Sequence, residues 1–158
     1  MKEISPVPDN FDIQSQLKEI EEDLSIFTDE KKIIFENNTT NLTINTDKEM
    51  FKLILRNLIT NAIKYTNPFG KVVINSILEN KKFIISVKDT GIGIRQEVQN
   101  KLFILSETKA ELGTYKETGT GLGLVLCADF VKKLGGKIWV ESKVGKGSTF
   151  YTSIPLCL

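Results

Sequence analysis

The chain has 158 residues, of which 41% are hydrophobic and 26% are charged, and its formal net charge is +1. This composition is typical of one soluble globular domain, and the near-neutral charge gives no basis for binding nucleic acid or an anionic membrane surface. Because the sequence contains no histidine, a Ser-His-Asp triad, a histidine-ligated metal and an imidazole base are all excluded.

The two cysteines, Cys127 and Cys157, lack the spacing of metal ligands, and we interpret them as reduced thiols of a cytosolic chain. No apolar run approaches the roughly 20 residues that a membrane-spanning helix needs, and no signal peptide is visible. We therefore expect this piece to be cytoplasmic. A longer parent protein bound to the inner membrane is compatible with that expectation.

The N-terminal half of the chain predicts two helices with short strands between them. Residues 1–10, with Pro6 and Pro8, are typical of a linker. From residue 11 to residue 27, apolar side chains recur at helical spacing and predict one buried stripe. Its members are Ile13, Leu17, Ile20, Leu24 and Phe27. The β-like runs KIIFE and NLTIN follow, and a capping box of Thr46 with Glu49 predicts a helix over residues 47–65.

The C-terminal half predicts two hairpins separated by a glycine-rich region. The strands KVVINSIL and KFIISVK flank the polar turn ENK. A glycine loop, DTGIGI, and a short helix, RQEVQNKLF, come next, and the polar residues 104–118 predict a mobile loop. GLGLVLCADFVKKLGG predicts a helix, and KIWVES with STFYTSIP predicts the last hairpin.

These elements predict an α+β fold, specifically a two-layer α/β sandwich. Its sheet is expected to be mixed but mostly antiparallel, with about five strands and an additional short N-terminal strand pair. About three helices cover one face of that sheet. Strands arranged as hairpins disfavour a doubly wound parallel fold.

The predicted helix over residues 47–65 carries a polar ridge. At about 100° per residue, Asn57, Asn61 and Lys64 lie within roughly 60° of one another. Amide oxygens suit Mg²⁺, and an ammonium group suits phosphate. Taken alone, this helix favours a plainer interpretation, a solvated polar face. Apolar residues point to the opposite side: Phe51, Leu55, Leu58 and Ala62.

Three glycine clusters, DTGIGI, GTGLGL and GKGST, shift the balance toward a ligand site. Glycine lets a ligand approach the backbone closely, and the second cluster opens a helix whose free N–H groups favour phosphate. GKGS is not a P-loop, because Val140 occupies the position of the required first glycine. Gln96 and Leu124 likewise break the dinucleotide-binding pattern GxGxxG.

In this order, the motifs resemble the catalytic ATP-binding domain of bacterial sensor histidine kinases, whose superfamily includes DNA gyrase B, the mismatch-repair ATPases and the heat-shock chaperone ATPase. LRNLITNAIKYT resembles the N box, DTGIGI and GTGLGL the two glycine boxes, and KLF part of the F box. ESKVGKGSTFYTSIP resembles the closing hairpin. The resemblance implies that residues 11–158 form this domain. Residues 1–10 would then be a linker remnant from an absent dimerisation and phosphoacceptor domain.

The resemblance implies ATP and Mg²⁺ as cofactors and assigns roles to the polar ridge. Asn61 would coordinate Mg²⁺, with Asn57 supporting the metal site. Lys64 would contact phosphate, and these three residues form the catalytic set. Tyr65 would pack along the adenine or the ribose.

The glycine boxes receive the remaining roles. Asp89 would accept a hydrogen bond from the adenine amino group, with Thr149 assisting, while Gly91, Gly93 and Ile94 would line the purine pocket. The second box would cradle the phosphates with Gly119, Thr120, Gly121, Leu122, Gly123 and Leu124. Residues 104–118 would close as a lid. In that lid Ser106 stands where a second F-box phenylalanine is usual, and Lys109 and Lys116 are candidate phosphate contacts, although solvated lysines are the commoner case.

The implied activity is transfer of the γ-phosphoryl group of ATP to a histidine on a separate dimerisation domain, in two-component signalling. The implied partners are that domain and, downstream, the receiver domain of a response regulator. We expect no nucleic acid and no direct membrane contact. The parent would be a homodimer and this piece a monomer. Asn57 stands where ATP-hydrolysing relatives carry a glutamate base, so efficient hydrolysis is disfavoured.

Two alternatives stay open at the level of sequence. An anti-sigma-factor-type serine kinase uses a similar fold without dimerisation helices, and a non-catalytic module would bind nucleotide only to regulate a partner. The linker-like N-terminus argues against the first alternative. The complete set of ATP-contacting positions argues against the second.

Overall fold

The computed structural model describes residues 3–104 and 122–157. Within those ranges the elements, in chain order, are β1 Pro8–Asp12, α1 Ile13–Lys31, β2 Ile34–Asn38, β3 Thr43–Asp47, α2 Lys48–Tyr65, β4 Lys71–Glu79, β5 Lys82–Asp89, α3 Gln96–Gln99, α4 Gly123–Lys133, β6 Lys137–Lys143 and β7 Gly147–Pro155. The predicted hairpins are both present as β4–β5 and β6–β7. The four-residue α3 is shorter than the predicted segment RQEVQNKLF.

Five strands form one mixed sheet in the order β2-β4-β5-β7-β6, and β1 pairs with β3 in a separate two-stranded sheet. Only β2 with β4 runs parallel among the strand pairs of the described residues, and the others are antiparallel. The predicted two-layer α+β architecture is confirmed. The bend between β4 and β5 has positive φ at Asn80 and Lys81, as a two-residue type I′ hairpin turn requires.

The N-terminal pair contains a strand that the sequence did not predict. β1 begins at Pro8, inside residues 1–10, which read as a linker. It forms because Phe11 is buried against Phe51, with ring centroids 5.4 Å apart. The first residue of a strand is a position where proline is tolerated. Residues 8–10 are therefore part of a paired strand.

Helix α1 extends four residues beyond the predicted end at Phe27. Phe27 is 51% exposed, whereas Lys31 is only 3% exposed. At about 100° per residue, Lys31 lies roughly 20° from the direction of Leu24 and Phe27 roughly 60° away. Lys31 therefore occupies the last position of the buried stripe, and the prediction that Phe27 belongs to this stripe is wrong.

Helix α2 is capped by Asp47 and not by the predicted Thr46. The Asp47 carboxylate accepts hydrogen bonds from the backbone N–H of Met50 at 2.9 Å and of Val7 at 2.8 Å. Thr46 is buried within β3. A carboxylate can accept from the helix and from the N-terminal segment at once, which explains why the cap is one residue later.

The core lies between one face of the main sheet and the helices. The apolar side of α2 was predicted correctly, since Phe51, Leu55, Leu58 and Ala62 are all buried. The opposite side of α2, which bears the polar ridge, is half-buried. None of the helices in the described residues combines the length and the apolarity needed to cross a membrane.

Candidate functional site

Asp89 ends β5 with its side chain inside the molecule, only 4% exposed. Its Oδ1 accepts hydrogen bonds from the backbone N–H of Gly91 at 2.8 Å and of Ser148 at 3.2 Å. The first bond closes a tight turn into the first glycine box. The second joins β5 to the start of β7. The Asp89 carboxylate thus fixes the turn after β5 relative to the start of β7.

Burial raises the pKa of Asp89 from 3.8 to about 6, and the hydrogen bonds from Gly91 and Ser148 counter that rise only in part. At neutral pH the group is therefore an ionised carboxylate in a poorly solvated place. Such a group favours an N–H donor strongly and disfavours an acceptor. The contact with an exocyclic amine, implied by the resemblance, stays a prediction.

The polar ridge of α2 is placed as predicted, with Asn57, Asn61 and Lys64 half-buried on one side of the helix. Asn57 Nδ2 donates to the Leu53 carbonyl at 2.9 Å. Its Oδ1 is turned toward the start of α4. The Lys64 ammonium lies 5.0 Å from the centroid of the Tyr65 ring, a cation–π distance.

The first glycine box packs against the C-terminal end of α2. Ile92 N donates to the Tyr65 carbonyl at 3.2 Å, and a Cβ at Gly91 would overlap that same oxygen. Gly93 has φ +74°, and a Cβ there would overlap the Lys143 carbonyl. Both glycines are thus required by backbone contacts within the fold. Room for a purine, the role implied by the resemblance, stays a prediction.

The start of α4 lies beside the same ridge. A Cβ at Gly123, the first residue of α4, would come within 2.7 Å of Asn57 Oδ1. The first N–H groups of a helix have no partner within it and carry the positive end of its dipole. The α2 ridge, the Asp89 loop and the α4 N-terminus therefore converge, as an anionic nucleotide requires.

Thr149 is next to the residue that pairs with Asp89, and the assisting role that the resemblance implied for it stays a prediction. In the register of β5 with β7, Asp89 is opposite Ser148, and Thr149 is opposite Lys88. Because side chains alternate between the faces of a strand, Thr149 lies on the face away from the helices. There it lines, with Lys88 and Glu141, a shallow cavity that Asp89 also borders. The residue beside Asp89 on the helix side is Ser148.

Part of the predicted site falls outside the described residues, namely Gly119, Thr120 and Gly121 of the second glycine box, with Ser106, Lys109 and Lys116 of the lid. Leu122, Gly123 and Leu124 are described, and Gly123 and Leu124 belong to α4. Within residues 3–104 and 122–157, no group of three acidic or cysteine side chains is placed to hold a metal.

Sequence reasoning missed two residues that shape the site. Ser148 was passed over for its neighbour, and Lys31 was not considered. Lys31 Nζ donates to the carbonyls of Ile63 at 2.8 Å and Lys64 at 3.0 Å, at the end of α2. The signal available for Lys31 was its place on the apolar stripe of α1, one heptad after Leu24.

Residues 46–158 match the family model described as histidine kinase-, DNA gyrase B-, and HSP90-like ATPase. This match includes every motif described above. The chain belongs to that ATPase family.

Relatives of this ATPase domain are sensor kinases. The adaptive-response sensory kinase SasA of Prochlorococcus marinus is 38% identical over 111 residues, which are 70% of this chain and 29% of SasA. The circadian input-output histidine kinase CikA of Synechococcus elongatus is 41% identical over 109 residues, which are 69% of this chain and 14% of CikA. The chain therefore spans less than a third of the length of these curated relatives.

Solved structures of this family share the fold over almost the whole chain. The catalytic domain of histidine kinase ThkA superposes with a TM-score of 0.83 at 30% identity, covering 96% of this chain and 97% of that domain. ThkA is also known in complex with the response regulator protein TrrA. Full-length ShkA in complex with AMPPNP, at 28% identity, has a TM-score of 0.80 and covers 99% of this chain and 32% of ShkA.

Proposed function

We propose that this domain binds ATP with Mg²⁺ and presents the γ-phosphoryl group to a histidine of a separate dimerisation domain. The observation that carries the proposal is the convergence on α2. The Tyr65 carbonyl meets the first glycine box, and Asn57 meets Gly123 at the start of α4. A base-reading carboxylate and a phosphate-binding helix end are thereby attached to one polar ridge.

In this proposal the adenine amino group donates a hydrogen bond to the Asp89 carboxylate. The backbone N–H groups of Gly91 and Ser148 hold that carboxylate in position. Guanine would present a carbonyl there and leave the carboxylate without a donor, so the site should discriminate against it. In this proposal Ser148, beside Asp89, takes the assisting role that the resemblance implied for Thr149. Tyr65 packs along the adenine or the ribose.

Lys64 and the N–H groups at the start of α4 balance the charge of the phosphates. Asn61 holds Mg²⁺, which would supply further charge neutralisation. Asn57 is the supporting group, because its amide nitrogen is engaged with the Leu53 carbonyl and only its Oδ1 is left for the site. Asn57 has no carboxylate that could accept a proton from water, so ATP is hydrolysed little before the acceptor histidine binds.

The partners proposed are the dimerisation domain and, after phosphorylation of its histidine, a receiver domain of a response regulator. Sensor histidine kinases among the relatives and the ThkA complex with TrrA support this choice. They also favour it over a serine kinase or a purely regulatory module. The proposed location is the cytoplasm, where ATP is available.

Binding is tested by calorimetric titration with a nonhydrolysable ATP analogue. We expect micromolar or weaker affinity, which Asp89→Asn and Asn61→Asp abolish. Asn75→Asp is the matched control, since Asn75 lies in β4 on the face away from the helices, and it should bind as the unchanged chain does. Unaltered titration curves for both site variants would refute the site.

Phosphoryl transfer is tested with γ-labelled ATP. The chain has no histidine, so it should acquire no label when incubated alone. Mixed with a histidine-bearing dimerisation domain, it should produce acid-labile phosphate on that domain. Label on this chain, or acid-stable phosphate on a serine of the partner, would point to the serine-kinase alternative.

A further inference from the structure

Lys31 places an ammonium group in the interior, with only 3% of the residue exposed. Its Nζ donates to the carbonyls of Ile63 and Lys64, at 2.8 and 3.0 Å. These are among the four carbonyls at the end of a helix that find no partner within it. Lys31, the last residue of α1, therefore caps α2.

The other carbonyls of that last turn have partners as well. Ala62 O accepts from the N–H and the hydroxyl of Thr66, at 3.1 and 2.6 Å, and Tyr65 O accepts from Ile92 N. Of the bonds just described, those from Lys31 come from a charged group. A cation is favoured at the negative end of the helix dipole, most strongly where burial limits screening.

The cap belongs to a regular pairing of α1 with α2. Lys52 contacts Glu19 and Arg56 contacts Asp23, both at 2.8 Å, and each α2 residue stands 33 positions after its partner. The bond from Lys31 to Lys64 O has the same offset of 33. The two helices thus run parallel and in register. The two ion pairs, Lys52 with Glu19 and Arg56 with Asp23, lie at the surface. The contact of Lys31 with Lys64 O is partly buried beside the candidate site.

We propose that Lys31 is a positioning residue of the nucleotide site, an inference that rests on the function proposed above. By holding the last turn of α2, its ammonium sets the positions of Lys64 and Tyr65 against the phosphates and the base. The Tyr65 carbonyl extends this influence to the loop after Asp89. Nucleotide binding and the order of the end of α1 are then coupled, each favouring the other.

The test compares Lys31→Met and Lys31→Arg with Lys52→Met by titration with a nonhydrolysable ATP analogue. Lys52→Met makes the same chemical change in the same helix pair, about 18 Å along α2 from Lys64. We expect Lys31→Met to weaken binding about tenfold or more, the effect of losing charge-assisted hydrogen bonds. Lys31→Arg should recover most of the affinity, and Lys52→Met should stay within about twofold of the unchanged chain.

Two outcomes separate this inference from the function on which it rests. If the unchanged chain binds, Asp89→Asn does not, and folded Lys31→Met binds with full affinity, only the positioning role is overturned. If the unchanged chain does not bind, or Asp89→Asn binds equally well, the proposed function fails first.

A second measurement needs no variant, so it decides the matter even if Lys31→Met does not fold. Lys32 N and Ile33 N donate to Asp29 O and Thr28 O just after the end of α1. Saturation with the ATP analogue should slow hydrogen exchange at these two amides severalfold. Protection of Gly91 and Ile92 without any change at Lys32 and Ile33 would overturn the proposal.

Discussion

Asp89 is a residue whose proposed ligand role has a cost in stability. Burial raises its pKa from 3.8 to about 6, so the folded chain holds the proton more tightly than the unfolded chain does. The contribution of Asp89 to the free energy of unfolding therefore decreases as pH rises from about 4 through about 6, and it stays lower above that range. A binding residue held in an unfavourable environment is typical of functional sites.

We predict that Asp89→Asn stabilises the ligand-free chain at pH 8 by up to about 3 kcal/mol, the equivalent of two pKa units. The amide oxygen of the variant can still accept from Gly91 and Ser148. Denaturant unfolding at pH 8 and pH 3.5 measures the effect. Near pH 3.5 the difference should fall to a few tenths of a kcal/mol, because the wild-type carboxyl is then protonated in the folded state and mostly protonated in the unfolded state. A less stable variant at pH 8 would contradict the assigned cause of the shift.

Lys64 offers a prediction that separates the phosphate end of the site from its adenine end. Lys64→Met should weaken ATP binding about tenfold and change adenosine binding by less than about twofold, because only ATP brings the anion that the ammonium would meet. Competitive titrations with both ligands measure this. Equal losses for ATP and adenosine would show that Lys64 acts through the shape of the pocket and not through phosphate.

For single residues, the sequence predicted which side chains share a face when they lie on the same helix. Asn57, Asn61 and Lys64 share a ridge because 3.6 residues per turn leaves no other arrangement. The strand residues were less certain. Ser148 and Thr149 are both small hydroxyl residues, and only the register with Asp89 decides which of them faces the site.

The turn between β6 and β7 offers a test at the level of elements. Gly145 and Gly147 both have positive φ, at 79° and 102°. A Cβ at Gly147 would overlap the Asp89 carbonyl, whereas a Cβ at Gly145 would meet nothing within 4 Å. Backbone strain is therefore common to both positions, and steric overlap is confined to one.

We predict that Gly145→Ala lowers the free energy of unfolding by about 1 kcal/mol, the cost of the strained backbone alone. Gly147→Ala should cost at least about 2 kcal/mol more, because β7 must shift away from β5. Denaturant unfolding of the two variants, side by side, gives the difference. Equal costs would mean that the hairpin moves freely relative to the end of β5.

Element boundaries were predicted well where the signal is local and poorly where it is not. Asn80 and Lys81 form the expected tight turn between two strands. The start of α2 was misplaced because Asp47 also binds Val7, forty positions away. The end of α1 was misplaced because the partners of Lys31 are carbonyls of α2, which a pattern of apolar side chains does not reveal.

At the scale of the whole molecule, the short strand β1 joins the N-terminal segment to the core. We predict that removing residues 1–12 lowers the free energy of unfolding by at least about 3 kcal/mol, the usual cost of losing a buried phenylalanine such as Phe11. Removing residues 1–6 alone should cost less than about 1 kcal/mol, since Val7 and its bond to Asp47 remain. Thermal and denaturant unfolding of both truncations tests this. Equal stability of the two would contradict a structural role for β1.

The overall architecture, including its two layers, followed from the order of hairpins and helices. The pairing of strands that are distant in the sequence could not be predicted from it. β2 lies parallel to β4 only because β3 and α2 intervene as the crossover. β3, which follows β2 directly, pairs instead with β1. Alternation of apolar residues specifies which face of a strand is buried but not which strand lies beside it.

Strand β3 also receives the other end of the chain. Asn45 N donates to the Leu156 carbonyl, and Asn45 forms an isolated bridge with Cys157, while Asn10 of β1 lies opposite the same residue. Strand β1, near the beginning of the described residues, and Cys157, at their end, therefore meet at one asparagine. A short peptide could therefore join the segment before β1 to the segment after β7. New termini placed at Asn80, in the turn between β4 and β5, would then yield a circular permutant in which the sheet and the helices keep their positions.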